Sequence, residues 1–226
     1  MQIERATNET CGVATGTVVA IDVIRAFTTA AFALAAGAHD IVPVGTVEQA
    51  LELRARFPGA LMMGEVGGYP IEGFDFGNSP SALLGQDLAG RRLIQRTSAG
   101  TQGLVCSLRA ETLFAGSLVC AAATARAIAR ITPAVVTLVA TGVFPGRDGD
   151  EDIACADYLA ALLRGELIDT AALVRRVRES DSGRLFADPT DPVFPTSDLD
   201  LCTDVDRFDF ALRIERRDGL QVMEAA

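Results

Sequence analysis

Residues 17–38, TVVAIDVIRAFTTAAFALAAGA, constrain the fold of this chain more than any other stretch. An apolar, β-branched run reaches Asp22, and after Arg25 comes a small-residue segment free of Gly and Pro until Gly37. That order reads as a strand feeding a helix, the unit from which parallel sheets are assembled. It also places a carboxylate, a guanidinium and the hydroxyls of Thr28 and Thr29 at one strand-to-helix mouth. Free amides at a helix start attract an anion, a guanidinium grips two of its oxygens, and a carboxylate can hold a divalent cation beside them. The natural ligand of such a mouth is a phosphate.

The first two-thirds of the chain keep alternating between short β-branched runs and longer Ala/Leu-rich runs with helical spacing. Strands are expected at 17–22, 40–44, 60–64, 92–96, 112–116 and 134–140, and helices at 28–37, 46–57, 117–131 and 151–164. Thr46 suits an N-cap and Pro58-Gly59 a stop signal. The class is α/β, a three-layer α/β/α arrangement with a mainly parallel sheet. A further helical stretch, IDTAALVRRVRES, leads into SDSGRLFADPTDPVFPTSDLD, whose three prolines end it; this segment is a lid, a wrap or a linker. The end, FDFALRIERRDGLQVMEA, alternates apolar and polar residues on both sides of Asp218-Gly219 and predicts a C-terminal β-hairpin, expected at the sheet edge. Residues 1–226 read as one domain, with 180–226 a wrap or hairpin extension.

At 226 residues and 49% hydrophobic, the chain can bury a substantial core. No apolar stretch approaches the ~18 residues of a membrane span, and the opening MQIERATNETCG lacks the order of a signal peptide, so a cytoplasmic protein is expected. Acids outnumber bases 30 to 20, for a net charge of −10, which argues against nucleic acid as a partner. All 20 basic residues are Arg; without Lys there is neither a Schiff base nor a phosphate-binding P-loop. The five cysteines, Cys11, Cys106, Cys120, Cys155 and Cys202, have no CxxC spacing and read as small buried thiols. His39 stands outside the motifs and reads as a surface loop residue. Acid–base work therefore falls to carboxylates or to water on a metal ion. The Ala and Leu stripes read as core, which leaves homo-oligomerisation open.

Three further segments put polar groups where apolar strands stop: GEVGGYPIEGFDFGNSP (64–80), QRTSAGTQGL (95–104) and ATGVFPGRDGDEDIACA (140–156). In the first, Glu65 is the functional candidate, Asp75 reads as a turn acid, and Asn78-Ser79-Pro80 reads equally as a helix cap or as substrate-contacting groups. In the second, Thr97, Ser98, Gly100 and Thr101 resemble a nest of hydroxyls and amides for an oxyanion, although a plain turn explains them as well. In the third, Asp148, Asp150, Glu151 and Asp152 read alone as an acidic helix start. Together Asp22, Glu65, Glu151 and Asp152 fall at ends that one sheet edge could gather. Two carboxylates 4 Å apart repel by roughly 4 kcal/mol at an effective dielectric of 20, so such a group calls for a proton or a cation, and Mg²⁺ suits a set of oxygen ligands.

On these segments the chain resembles the 2-phosphosulfolactate phosphatases, Mg²⁺-dependent hydrolases of coenzyme M biosynthesis that release 3-sulfolactate and inorganic phosphate. The resemblance spans residues 17 to about 165 and rests on AIDVIRAFTT, on GFDFGNSP with the preceding GE, on TSAGT, on AGSLVCAAATA and on LVATG followed by EDIACA. It implies that Asp22, Arg25, Glu65, Asn78, Ser79, Thr101, Glu151 and Asp152 occupy motif positions. The roles assigned here are Asp22, Glu151 and Asp152 on Mg²⁺, Asp22, Arg25 and Glu65 in catalysis, and Thr28, Thr29, Asn78, Ser79, Thr97, Gly100 and Thr101 on a small anionic phosphorylated substrate. Three positions depart from the family pattern: Val66 stands where Arg usually follows GE, Ala99 where Asn is frequent, and Phe27 where Thr or Ser is common. They motivate the alternatives of a phosphatase for another phosphorylated hydroxy acid and of a non-catalytic anion-binding protein. A haloacid dehalogenase-type site needs a second Asp where Ile24 stands, and it also needs a Lys.

Overall fold

The computed structural model describes residues 1–226. In chain order the elements are β1 (Gln2–Thr7), β2 (Thr17–Ile21), α1 (Ala26–Ala35), β3 (Asp40–Val44), α2 (Val47–Arg56), β4 (Leu61–Val66), β5 (Tyr69–Pro70), β6 (Arg92–Arg96) and α3 (Gly100–Cys106). There follow β7 (Thr112–Gly116), α4 (Ala121–Ile131), β8 (Val135–Ala140), α5 (Asp150–Arg164), α6 (Thr170–Glu179), α7 (Asp181–Arg184), α8 (Thr196–Cys202), β9 (Leu212–Arg217) and β10 (Leu220–Ala225). Every expected strand and helix is present, with boundaries within about two residues except at α4, which starts at Ala121 rather than 117 because a 3-10 turn, Leu118–Cys120, precedes it. Strand β1, the short β5, helix α3 and the short helices α7 and α8 were not expected: β1 alternates weakly and lies half exposed at the sheet edge, α3 is seven residues rich in Gly, and the others are two to seven residues long.

The strands form one sheet in the order β1-β8-β2-β7-β9-β10-β3-β6-β4-β5. Pairing is parallel within β1-β8-β2-β7 and within β3-β6-β4, and the antiparallel hairpin β9-β10 joins these two blocks. The hairpin expectation holds, with Asp218 and Gly219 both at positive φ in the turn. Its expected place at the sheet edge is corrected, because the hairpin fills the centre. Leu212, Ile214 and Met223 carry one buried face of it into the main core, and strand alternation alone does not say which neighbours cover such a face.

Alternation along the strands sorts the core into layers. Val18 and Ala20 of β2, Leu113 and Ala115 of β7 and Ile41 of β3 pack with α1 and with Leu104 of α3 on one face. Val19 and Ile21, with Phe114, Val136 and Leu138, meet α4 and α5 on the other. Val42, Val44, Met62 and Ile94 cover Ala50 of α2 on that same side. Helix α1 is buried from Ala26 to Leu34, and its small side chains let it cross from β2 to β3 close over the hairpin. Helix α2 begins with Thr46 and Gln49 forming a reciprocal capping box. His39 is exposed, as expected. No helix is long and apolar enough to cross a membrane.

Candidate active site

Parallel strands end on the same side of a sheet, so the segments after β2, β4, β6 and β8 gather at one rim. Asp22 follows β2 directly; its Oδ1 accepts from the Ala26 amide at 2.9 Å, and Val23 N donates to Asp152 Oδ1 at 2.8 Å. The Ile24–Arg25 peptide is cis. Arg25 is 5% exposed, and its Nη1 donates to Asp198 Oδ2 at 2.7 Å and to the Val193 carbonyl at 2.8 Å. The guanidinium lies over the rings of Phe186 and Phe194, at 5.2 and 5.3 Å from their centroids.

Glu65, near the end of β4, clasps two loops. Its Oε1 accepts from Ser98 N at 2.5 Å, and its Oε2 accepts from Gly68 N at 2.6 Å and from Ser98 Oγ at 3.0 Å. After β6, Thr97 and Thr101 cap one another: Thr97 N donates to Thr101 Oγ1 at 2.9 Å and Thr101 N to Thr97 Oγ1 at 3.0 Å. Gly100 leaves no room for a side chain, since a Cβ there would stand 2.7 Å from Ala26 Cβ and 2.8 Å from Asp22 Oδ2.

The first turn of α5 brings Glu151 and Asp152 under the loop that follows β8. Asp152 Oδ2 accepts from Gly142 N at 2.7 Å, so each of its oxygens serves a backbone amide. Glu151 Oε1 accepts from Ser182 Oγ at 2.6 Å, whereas its Oε2 is buried without a partner. Burial pushes the Asp22 carboxyl up to about 7, helped by the charges of Glu65 and Glu151 and opposed by the Ala26 and Gly100 amides. Asp152 is also pushed well above the usual range, first by burial and then by the charges of Asp22 and Glu151. A charge that raises a neighbouring carboxyl in this way lies within electrostatic reach of it in a poorly solvated pocket.

Above these groups opens a cleft of about 280 Å³ lined by Asp22, Arg25, Glu65, Asn78, Ser98 and Ala99 from the strand ends. Its other wall includes Arg147 of the β8–α5 loop and Ser182, Phe186 and Phe194 of the proline-containing segment, which wraps over the cleft. Of the predicted site residues, Asp22, Arg25, Glu65 and Asn78 line the cleft. Thr29, Thr97, Gly100, Thr101, Glu151 and Asp152 are buried behind it. Thr28 bonds Val23 O at 2.8 Å and Ser117 Oγ at 2.6 Å, and Ser79 Oγ donates to Asp198 Oδ1 at 2.8 Å. Asp75 accepts from Met62 N and Arg54, as a turn acid does, and Asp150 pairs with Arg176 of α6.

Sequence reasoning did not single out Asp198, Arg147 or Ser182. Asp198 is fully buried and accepts from Arg25, Ser79 and Ser81 together. The signal available was the segment itself: two phenylalanines among prolines, with an acid in the following helix.

No three acidic, histidine or cysteine side chains converge closely enough to enclose an ion unaided. Mg²⁺ does not require that, since it commonly takes one or two carboxylates and fills its octahedron with water and substrate oxygens. Two buried oxygen acceptors without partners, Glu151 Oε2 and Asn78 Oδ1, and the raised carboxyl of Asp22 fit a hard cation in this region.

Residues 2–215 match the family of 2-phosphosulpholactate phosphatases. The chain is 34% identical over 204 residues to a Bacillus subtilis (strain 168) protein named "Probable 2-phosphosulfolactate phosphatase", covering 89% of this chain and 87% of that one. A protein of the same name from Carboxydothermus hydrogenoformans is 42% identical over 149 residues, 65% of this chain and 60% of that one. One from Deinococcus radiodurans is 37% identical over 166 residues, 70% and 68% respectively. With a match from its second residue to the hairpin, and with the motif residues gathered at one rim, the chain belongs to the 2-phosphosulpholactate phosphatase family.

Proposed function

We propose that this protein is a phosphoric monoester hydrolase that converts 2-phosphosulfolactate to 3-sulfolactate and inorganic phosphate with Mg²⁺ as cofactor. The observation that carries this reading is the pair of buried, raised carboxyls of Asp22 and Asp152, with Glu151 buried beside them, at a cleft that also presents guanidinium groups. Phosphomonoester hydrolysis is slow without dense electrostatic stabilisation, and such a cleft supplies it to a transferring phosphoryl group.

In this mechanism Arg25, at the cleft wall, receives the phosphate, while Glu65 holds the 97–101 turn against Gly68. Asp22, buried at the cleft, takes the proton of the attacking water and returns it to the departing alcohol oxygen as the P–O bond breaks. Phe186 and Phe194 cover the guanidinium and keep bulk water off it. Glu151 Oε2 and Asn78 Oδ1, which have no other partner, would hold Mg²⁺, whose positive charge would stabilise the phosphoryl oxygens as a Lewis acid and leave Asp22 free as the base. Asp152 fixes the Val23 and Gly142 amides and so keeps the β2 and β8 ends in register.

The test is phosphate release from 2-phosphosulfolactate with Mg²⁺, and again after chelation with EDTA. Release that depends on Mg²⁺ is the expected result. No release from this or any other small phosphomonoester in the presence of Mg²⁺ would refute the reading and leave an anion-binding module.

A further inference from the structure

Two guanidinium groups line the cleft, and they differ in electrostatic state. Arg25 is neutralised by the buried Asp198 at 2.7 Å and is further held by Val193 O. It presents a shaped donor fork but little net charge. Arg147 is exposed in the loop between β8 and α5 and has no carboxylate at ion-pair distance. Its contacts are Ser182 Oγ at 3.5 Å and the ring of Phe144, whose centroid lies 5.8 Å from the guanidinium carbon. Ser182 in turn donates to Glu151, so Arg147 is tethered one residue away from the buried acids.

The cleft lining therefore holds two carboxylates, Asp22 and Glu65, and one uncompensated cation. A substrate carrying only a phosphate would be served by the acid-bound cation and Arg25. One carrying a second anionic group must place that group in the same cleft of about 280 Å³, where it meets repulsion from the carboxylates unless a free cation is near. Val66, just after Glu65, supplies none; it is apolar and 48% exposed.

We propose that Arg147 binds the non-phosphate anionic group of the substrate, a sulfonate or carboxylate, and thereby sets specificity for polyanionic phosphomonoesters. This inference rests on the phosphatase reading above. A guanidinium suits the role because its planar fork pairs two oxygens at once, which an ammonium cannot do. The Ser182 contact and the Phe144 ring orient the fork without cancelling its charge.

The experiment compares wild type with Arg147→Gln and Arg147→Lys, using the full chain with Mg²⁺. The substrates are 2-phosphosulfolactate and phenyl phosphate, whose alcohol carries no charge. In Arg147→Gln the ratio of kcat/KM between the two substrates falls by about tenfold or more, through KM for the sulfonated one, as expected for loss of one charge-assisted contact. Arg147→Lys gives an intermediate ratio. An unchanged ratio, or an equal loss on both substrates, overturns the proposal, the latter because Arg147 would then serve the phosphate or the loop. Calorimetric binding of 3-sulfolactate gives a readout independent of turnover: about tenfold weakening in Arg147→Gln supports the role, and equal binding overturns it. Loss of turnover in wild type with that binding difference intact would sink the phosphatase reading alone.

Discussion

Asp22→Asn separates the cost of a buried charge from its use. In the folded chain the Asp22 carboxyl rises from 3.8 to about 7, so ionising it there costs about 4 kcal/mol more than in the unfolded chain. Because the folded value lies above the unfolded one, the penalty is absent below about pH 3, reaches about 1–2 kcal/mol at pH 5 and is complete near pH 8. Asparagine carries no such penalty and keeps an oxygen for the Ala26 amide, now 2.9 Å from Oδ1. Its amino group would face Gly100, which opposes the gain by about 1 kcal/mol. Asp152, raised in part by the charge of Asp22, would ionise more easily in the variant and add to the gain. The net expectation is about 3 kcal/mol of stabilisation at pH 8 and close to none at pH 5, which for a chain of this size means a Tm rise of about 6–12 °C at pH 8. Thermal and urea unfolding in EDTA at both pH values measures it. Turnover of the same variant should fall at least about 100-fold, the usual contribution of a placed base. A variant no more stable than wild type at pH 8, or stabilised equally at both pH values, refutes the account of Asp22 as a strained buried acid.

Asp198→Ala would leave the Arg25 guanidinium buried without its counter-charge and should cost about 3–5 kcal/mol of stability, read from the urea midpoint; a loss below about 1 kcal/mol would mean that the pair is dispensable. Gly100→Ala puts a methyl 2.7 Å from Ala26 Cβ and 2.8 Å from Asp22 Oδ2, so it should destabilise by about 1–3 kcal/mol and lower kcat together, and wild-type kinetics would show that the β2 and β6 loops are not locked in this geometry.

Much of the fold was legible because β2, β3 and β8 are short β-branched runs and α1 and α4 are longer, small-residue-rich helices, so period and composition agree there. The hairpin was legible from Asp218-Gly219, whose backbone needs positive φ. Its central position was not, because both faces of a strand pattern can be covered by any layer of suitable chemistry. In the site, Asp22, Arg25, Glu65 and Asn78 were found because they follow strands or lie in Gly-rich loops, and they reach the cleft. The hydroxyls of Thr28, Thr97 and Thr101 stood in the same motifs but turn to backbone and to one another. A threonine can cap or bind equally well on local grounds, and only the direction of its χ1 decides which.

Local order along the chain was enough to specify parallel βα units, an acid-lined rim and an Arg-only set of cations, since each depends on neighbours within a few residues. The partner of Arg25 lies 173 positions away and the hydroxyl on Glu151 lies 31 away, so both pairings exist only once the proline-containing wrap has settled over the rim. Which guanidinium is left without a counter-charge was settled by that wrap. It brings Asp198 against Arg25 and no carboxylate against Arg147, and long-range electrostatics of this kind has no counterpart in spacing or composition.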